Sequence, residues 1–289
     1  MKITQLHTLF HSKLRTLYPK EEIDTFFHLL AEHALGLTRV DRALQPQFEI
    51  PLKKHLFFKK AMEQLEEERP IQYILGKTEF FSLPFELCKD VLIPRPETEE
   101  LVQWILDTTQ DKKNLKILDI GTGSGCIAVA LAKNATNAKV TALDFSKKAL
   151  AIAKENATKN NVALKFLEQD ILNTSSLPEK YDIIVSNPPY VRNLEKKEIK
   201  KNVLAYEPDS ALFVADCNPL IFYDKISELA KKHLKTDGQL FFEINQYLGN
   251  EMLFLLKQKG FSNPILRKDI FKNDRMIKAS LHCSISKNN

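Results

Sequence analysis

A rigid corner follows an apolar, strand-like stretch of the chain. After residues 182–186 the sequence reads Asn187-Pro188-Pro189-Tyr190. The two prolines fix two φ angles and lack N–H donors, and Asn187, which precedes a proline, is restricted to an extended backbone. The side-chain oxygen of Asn187 and the main-chain carbonyl of Pro188 can both accept hydrogen bonds. Two acceptors held in this way suit an NH2 group. When each acceptor binds one of the two hydrogens, the nitrogen lone pair points away from both acceptors, toward a third position.

That third position is where an activated methyl group could lie, with Tyr190 packed against a face of the group to be methylated. Methyl transfer from a sulfonium needs no strong base. Its barrier falls mainly through alignment of nitrogen, carbon and sulfur, and through carbonyl dipoles that stabilise charge developing on nitrogen. Asn187 cannot act as a base, so we interpret the corner as a clamp. Taken alone, however, the corner could also be a simple turn.

A glycine-rich loop is the second candidate site. In "LDIGTGSGCIAVALA", Gly121, Gly123 and Gly125 lie between an apolar strand and an apolar helix. Closely spaced glycines there let a ligand approach the backbone, and the N-terminus of the helix offers unpaired N–H groups. The next predicted strand ends in Asp144, where a carboxylate is well placed to bind ribose hydroxyls. The loop and Asp144 together predict a nucleotide-type cofactor.

Two cofactor classes use such a loop. The dinucleotide pattern G-x-G-x-x-G would place its third glycine at the position of Cys126. Asp119, two residues before the first glycine, would repel a pyrophosphate but attract the amine or sulfonium of S-adenosylmethionine (SAM). The pattern therefore favours SAM over NAD, and a loop without a ligand is less favoured than either. Asp170, after the third strand, could accept a hydrogen bond from adenine with Ile171 against the ring, although alone it would be interpreted as a helix cap.

Alternating strands and helices must position these residues. The strands are predicted at 116–120, 139–144, 164–168, 182–186, 239–244, 261–267 and 275–283. The helices among them are predicted at 98–109, 125–134, 146–160 and 219–235. This alternation predicts an α/β fold, a Rossmann-like, seven-stranded and mainly parallel sheet with helices on both faces. The last two strands have no helix between them and are expected to form an antiparallel edge hairpin.

The chain is expected to contain three parts. Residues 1–75 show helical spacing of apolar residues, which predicts a small bundle of three helices, the second ended by Gly36 and the third running from Pro51 to about Glu68. Residues 76–93 are predicted to be a β-hairpin linker with its turn at or near 82–84. Residues 94–289 form the α/β domain. From the pattern alone the bundle could be a packing appendage or a partner-binding module.

The composition is that of an ordinary globular protein. The chain has 289 residues, is 44% hydrophobic and carries a net charge of +5, which is only mildly basic. Its four cysteines form no CxxC pair, and no His/Cys grouping has zinc spacing, so we expect reduced thiols and no metal. The N-terminus does not have the pattern of a signal peptide, and no apolar run is long enough to span a membrane. A cytoplasmic protein is the expectation. The cysteines are Cys88, Cys126, Cys217 and Cys283.

D-x-G-x-G-x-G followed by N-P-P-Y resembles the amino-methylating SAM methyltransferases. Over nearly the whole chain the sequence is similar to the PrmC/HemK protein-glutamine methyltransferases, which methylate peptide-chain release factors. Three segments carry this closer resemblance: "LIPRPETEELV" at 92–102, "YEPDSAL" at 206–212 and "LRKDIFKNDRMIKASL" at 266–281. The helical N-terminal part also resembles the N-terminal domain of that family.

The resemblance implies a reaction and a set of site residues. The substrate would be the glutamine of the release factors' Gly-Gly-Gln motif, methylated on N5, with S-adenosylhomocysteine as the product. The amide would be held by Asn187, Pro188, Pro189 and Tyr190. SAM would be bound by Gly121, Thr122, Gly123, Ser124, Gly125, Asp144 and Asn187, to which the strand-end pattern adds Asp170 and Ile171 at the adenine. The N-terminal bundle would help to grip the release factor, and neither a membrane nor a specific nucleic acid is an expected partner.

Arg95 and Glu97 each have two possible roles. The resemblance implies that Arg95 and Glu97 lie near the mouth of the site. They could equally well pin the hairpin to the sheet.

Two positions depart from the family pattern. Ile171 replaces a tryptophan, which removes an aromatic partner for adenine, and Asn245 replaces a glycine, which indicates a different turn. Neither change is expected to touch the residues that bind the amide.

An adenine or cytosine amino methyltransferase of nucleic acids is the alternative function, because those bases present the same NH2 group. The lysines of "EKKEIKK" could supply positive charge, although they are interpreted first as a solvated helix face. The chain contains no large inserted domain for recognising a nucleic-acid target.

Overall fold

The computed structural model describes residues 1–281, so Cys283 and the end of the strand predicted at 275–283 lie outside the described residues. The chain divides into two compact units. The first comprises Met1–Gly76 together with Lys200–Tyr206, and the second begins at Lys77 and resumes at Glu207 after that segment. Within residues 1–281, no helix is both long and apolar enough to cross a membrane.

The elements are numbered in chain order. The helices are α1 (Ile3–Leu14), α2 (Lys20–Leu35), α3 (Arg39–Leu44), α4 (Leu52–Glu66), α5 (Ile71–Leu75), α6 (Pro96–Thr109), α7 (Cys126–Asn134), α8 (Lys147–Lys159), α9 (Lys201–Tyr206), α10 (Asp209–Leu212), α11 (Ile221–His233) and α12 (Gly249–Gln258). The strands are β1 (Lys77–Phe80), β2 (Leu83–Glu86), β3 (Lys116–Ile120), β4 (Lys139–Asp144), β5 (Leu164–Glu168), β6 (Tyr181–Ser186), β7 (Val191–Arg192), β8 (Phe213–Val214), β9 (Leu234–Glu243), β10 (Phe261–Lys268) and β11 (Asp274–Leu281).

The first unit is helical. Its core side chains recur at helical spacing on α1, α2 and α4, and Gly36 ends α2 in the left-handed conformation, with φ +69°. The two short helices α3 and α5 were not among the three predicted. Because α3 has six residues and buries none of them, it leaves no apolar periodicity to detect. The main buried side chains are Leu6, Phe10, Leu14, Ile23, Phe27, Leu30, Phe58 and Leu65.

The segment Lys200–Tyr206, which contains α9, groups with this helical unit although it lies far along the chain. The hydroxyl of Tyr206 donates a hydrogen bond to the carbonyl of Glu67, at 2.9 Å. The helical unit is therefore assembled from two separate parts of the sequence.

The second unit is built on a seven-stranded sheet in the order β10-β11-β9-β6-β3-β4-β5. Strands β9, β6, β3, β4 and β5 run parallel, whereas β11 pairs antiparallel with both β9 and β10. The predicted Rossmann-like fold with an antiparallel edge hairpin is confirmed. Alternate residues of the central strand face opposite sides, so that Ile117 joins one buried cluster and Leu118 the other.

Three local features differ from the expectations. Helix α12 was not predicted; its buried side chains Met252 and Leu256 are separated by the exposed Phe254, which weakens the apolar pattern. Strand β9 begins at Leu234, earlier than predicted. The hairpin β1–β2 turns at Phe81 and Ser82, both with positive φ, so Pro84 lies within β2 rather than in the turn.

Candidate active site

A cavity of about 270 Å³ lies at the carboxyl ends of β6, β3, β4 and β5. These four strands are neighbours in the sheet, and β3 in the middle is flanked by β6 on one side and by β4 on the other. Open α/β sheets bind ligands at this kind of point, where the strand order reverses. The residues that follow the four strands and line the cavity are 121–124, 144–146, 169–171 and 187–189. The structure therefore brings together the four strand ends identified from sequence.

The glycine loop turns sharply between β3 and α7. Gly121, Gly123 and Gly125 all have positive φ, at +74°, +55° and +82°. Gly121 and Gly123 line the cavity, but Gly125 does not. A Cβ atom added to Gly125 would lie 3.0 Å from the Cβ of Ala153 on α8, so this glycine allows the two helices to pack closely. Its role in the structure is packing beneath the loop.

Replacing Gly125 by alanine is expected to destabilise the second unit by about 2–5 kcal/mol. The left-handed backbone costs a non-glycine residue about 1–2 kcal/mol, and overpacking against Ala153 adds about 1–3 kcal/mol. Urea unfolding followed by the fluorescence of Trp104, the single tryptophan, reports on this unit. Gly121→Ala is the matched control, because it has a positive φ but nothing within 4 Å of an added Cβ. Equal losses in the two variants would contradict the packing role.

Asp119 and Thr122 stabilise the loop from below. The Thr122 hydroxyl donates to Oδ2 of Asp119 at 2.6 Å, and Asp119 is completely buried. Burial raises the pKa of Asp119 to about 7. Asp119 is not among the residues that line the cavity. The structure thus shows Asp119 holding the loop, whereas the sequence suggested direct attraction of a cationic ligand.

Asp144 ends β4 and faces the cavity. Its Oδ2 accepts from the backbone N–H of Gly123 and its Oδ1 from that of Ser146, each at 2.9 Å. Burial raises the pKa of Asp144, although these two backbone hydrogen bonds oppose the shift. Because a carboxylate offers about four acceptor positions, the two oxygens can still accept from a pair of hydroxyls. Asp144 therefore fits the ribose of a nucleoside.

The residues after β5 have mixed roles. Both oxygens of Asp170 accept local hydrogen bonds, from the backbone of Leu172 and from the side chain of Asn173, so Asp170 caps its own turn as well as lining the cavity. Ile171 is 7% exposed and lines the cavity from the core. Phe145, which no sequence pattern identified, lines the same cavity and is 59% exposed. An aromatic ring is thus present beside Asp144 even though Ile171 is not aromatic.

The corner after β6 is held by a network of polar side chains. The Asn187 amide nitrogen donates to Oγ1 of Thr98 at 3.4 Å, and Thr98 donates to Oε2 of Glu243 at 2.6 Å. The hydroxyl of Tyr190 donates to the other oxygen of Glu243 at 3.0 Å. Because its nitrogen contacts Thr98, Asn187 keeps its side-chain oxygen as an acceptor. Asn187, Pro188 and Pro189 line the cavity, whereas Tyr190 packs against the core.

Glu243 is the buried centre of this network. It is 1% exposed, and burial raises its pKa, while hydrogen bonds from Thr98 and Tyr190 oppose the shift. Thr98 and Glu243 lie far apart in the sequence, and neither was identified as a site residue. Only their positions in the sequence could have pointed to them. Thr98 lies within the PRPETE segment, and Glu243 is the last residue of β9.

Asn245 contacts the corner directly. Its amide nitrogen donates to the main-chain carbonyl of Tyr190 at 3.0 Å and to Oε2 of Glu195 at 2.8 Å. The expectation that this departure from the family pattern leaves the amide-binding residues untouched is therefore wrong. The side-chain amide supplies bonds that a glycine cannot make.

The PRPETE and YEPDSAL segments meet at one ion pair. The Arg95 guanidinium donates to Oε1 of Glu207 at 2.6 Å, and the backbone N–H of Ile93 donates to Oε2 of the same carboxylate at 3.2 Å. Arg95 lines the cavity, in line with a position near the mouth of the site, whereas Glu97 does not line it and lies in the first turn of α6. The pair pins the chain ahead of α6 to the segment that begins at Glu207.

Comparisons with known proteins cover nearly the whole chain. Residues 98–209 match the family model of the methyltransferase small domain, and residues 5–76 match the PrmC N-terminal domain. A release factor glutamine methyltransferase of Flavobacterium psychrophilum is 54% identical over 283 residues, covering 97% of this chain and 99% of that protein. The Bacteroides thetaiotaomicron protein of the same name is 40% identical over 279 residues, covering 96% and 100%. A solved methyltransferase from Pyrococcus furiosus shares the fold, with a TM-score of 0.52, 20% identity and coverage of 71% and 91%.

A mainly parallel sheet with this strand order, a glycine loop after β3 and a carboxylate at the end of β4 is the arrangement of the Rossmann-like SAM-dependent methyltransferases. The chain is an enzyme of that class. Because the identity of the relatives extends over nearly its full length, it belongs to the release factor glutamine methyltransferase family, PrmC/HemK. The family identified from the sequence motifs is confirmed.

Proposed function

We propose that this protein transfers a methyl group from SAM to the N5 amide nitrogen of the glutamine in the Gly-Gly-Gln motif of release factors, and so modulates translation termination in the cytoplasm. The observation that carries the proposal is that Asn187 and Pro188 line the same cavity as the glycine loop and Asp144. An amide-clamping corner thus lies beside a nucleoside-binding loop. The full-length similarity to relatives named release factor glutamine methyltransferases supports the choice of substrate.

The chain's own residues would act by holding and aligning the amide. The side-chain oxygen of Asn187 and the carbonyl oxygen of Pro188 each accept one hydrogen of the glutamine NH2 group. Bound SAM supplies a methyl group already activated by a positively charged sulfur. Both acceptors stabilise the positive charge that develops on nitrogen as the new bond forms, and the excess proton leaves to water afterwards. No general base is required, which agrees with an asparagine at this position.

The cofactor contacts are also part of the proposal. Asp144 would hold the ribose hydroxyls, and the loop residues 121–124, which line the cavity, would hold the remainder of SAM at the backbone, while Gly125 packs beneath them. The adenine would lie near Asp170 and Ile171, with S-adenosylhomocysteine released as the product. Support comes from the free acceptor positions of Asp144 and from the residues of these three segments that line one cavity.

The helical N-terminal part, residues 1–75, is proposed to help grip the release factor, and the hairpin of 76–93 to act as the linker that precedes the methyltransferase part, 94–289. The match of residues 5–76 to a domain defined in this family supports a shared role for the bundle.

A truncated chain beginning near residue 76 would be expected to bind SAM but to show a raised KM for the release factor.

Thr98→Val is expected to lower turnover by about 2- to 10-fold, because a neutral hydrogen bond that orients Asn187 is worth about 0.5–1.5 kcal/mol. The Kd for SAM should change little, since the Thr98 hydroxyl bonds the side chains of Asn187 and Glu243 at the corner and not the glycine loop or Asp144. Thr109→Val on the same helix is the matched control. Thr109 is also buried, and its hydroxyl bonds the carbonyl of Ile105. If both variants lost turnover equally, the positioning role of Thr98 would be rejected.

Mass spectrometry of a release factor incubated with the protein and SAM tests the proposal. A single added methyl on the glutamine of Gly-Gly-Gln is the expected result. A release factor with that glutamine changed to alanine is the control, and it should gain no methyl. Duplex and single-stranded DNA with labelled SAM form the other arm of the test. Label that entered DNA but not the release factor would refute the proposal in favour of a nucleic-acid methyltransferase.

A further inference from the structure

Three metal-ligating side chains converge in the helical unit, away from the cavity described above. His7 and His11 lie one turn apart on α1, and Asp24 faces them from α2. The Nε2 atoms of both histidines lie 2.7 Å from the same carboxylate oxygen, Oδ1 of Asp24. The two Nε2 atoms are 3.2 Å from each other. Three potential ligand atoms thus surround one point.

The spacing of the two histidines suits a shared ion. With Zn–N bonds of about 2.0–2.1 Å, two nitrogens of a tetrahedral site lie about 3.3 Å apart. The observed 3.2 Å matches this separation. Asp24 Oδ1 would have to withdraw by roughly half an ångström to reach a similar separation, and its side chain is partly exposed, at 29%.

Hydrogen bonding alone crowds two donors together in this cluster. A neutral imidazole carries one N–H, so both Nε2 atoms can bond Asp24 only if both protons point at one oxygen. The two nitrogens, at 3.2 Å, then approach each other as two donors. A cation in place of these protons would let both nitrogens and the carboxylate act as ligands at once. The ring of His7 is also fixed by packing, 4.7 Å from His11 and 4.8 Å from Phe27 between centroids.

We propose that His7, His11 and Asp24 form a binding site for a divalent transition metal of the zinc type, linking α1 to α2. Two imidazoles and one carboxylate favour zinc-type ions over magnesium or calcium, which prefer oxygen ligands. The side chains are 40%, 24% and 29% exposed, so an ion can reach them. This site is independent of the proposed methyl transfer and was not expected, since no zinc spacing was recognised in the sequence.

The fourth position of such a site would face a second cavity of about 300 Å³, which His7 and Asp24 line together with Arg39 and Arg42. Because Arg39 and Arg42 carry positive charge into this cavity, an anion or hydroxide is favoured at the open position over a neutral ligand. Arg42 is itself engaged, with Nη2 3.0 Å from Nδ1 of His28 and its guanidinium over the ring of Phe27. Arg42 therefore makes none of its described contacts with the three ligand atoms.

Titration of the untagged full-length protein with Co²⁺ tests the site. Wild-type protein is expected to bind one equivalent with the intense visible bands of four-coordinate Co²⁺ and without the charge-transfer band of a thiolate ligand. Zn²⁺ should displace the Co²⁺ and raise the melting temperature. His7→Gln, His11→Gln and Asp24→Asn should each weaken binding by more than about tenfold, because even the loss of outer-shell partners costs that much.

His55→Gln is the matched control, since His55 belongs to the same unit but bonds the carbonyl of Ile50 instead. This variant should bind Co²⁺ as the wild type does. Circular dichroism verifies that each variant is folded. The proposal is overturned if wild-type protein binds neither Co²⁺ nor Zn²⁺, a result that needs no variant. It is also overturned if folded His7→Gln and His11→Gln proteins bind Co²⁺ as tightly as the wild type.

Discussion

Asn187→Ala is expected to lower turnover by about 10²–10³-fold, the cost of removing one preorganised group that stabilises transition-state charge. The loss should appear in kcat, because the side-chain oxygen of Asn187 both orients the glutamine amide and stabilises charge that develops only during transfer. The fold should change little. Asn187 is half-buried, and its one described side-chain hydrogen bond, to Thr98, is long at 3.4 Å.

Steady-state kinetics with a release factor, together with calorimetry of SAM binding, would separate the two effects. The Kd for SAM should change far less than kcat, since the glycine loop and Asp144 remain intact. Asn193→Ala is the matched control, because Asn193 lies just beyond the corner, bonds the carbonyl of Val214 and does not line the cavity. Near-wild-type turnover of Asn187→Ala would disprove the clamp.

The sequence predicted the strand ends of the site well, because each is a local pattern. A buried strand followed by glycines, by Asp144 or by Asn187-Pro188 can be recognised within a few residues, and the parallel topology then brings these ends together. The network behind the corner could not be predicted in this way. Thr98 precedes the sheet and Glu243 ends β9, so only the folded chain shows that they share a hydrogen bond.

The other features that were not predicted also depend on contacts between distant segments of the chain. Helix α9 joins the helical unit through tertiary contacts that leave no mark on local apolar spacing. His7 and His11 lie one helical turn apart, but Asp24, which completes their hydrogen-bonded cluster, comes from the next helix. Phe145 lines the cavity as an exposed residue directly after a strand, a position with no recognisable pattern. Pairings between distant residues depend on the packing of elements, whereas strand ends depend on the local sequence.

Asp144→Ala is expected to weaken SAM binding by about 10- to 100-fold, because hydrogen bonds to a charged group contribute about 1.5–3 kcal/mol. Two losses combine in this variant. The ribose hydroxyls lose their acceptor, and the backbone N–H groups of Gly123 and Ser146 lose the carboxylate that fixes the loop. At saturating SAM the turnover should recover much of its wild-type value, which is the opposite of the pattern expected for Asn187→Ala.

Asp144→Asn distinguishes these two losses. Its side-chain oxygen can still accept one backbone N–H, so the loop keeps part of its support, but the negative charge that strengthens the ribose bonds is removed. An affinity between those of the wild type and Asp144→Ala is therefore expected. Calorimetry gives the Kd for SAM, and Trp104 fluorescence in urea shows whether the unit has lost stability. If SAM bound both variants as tightly as the wild type, Asp144 would have no part in holding the ribose, and the two backbone hydrogen bonds would be its whole role.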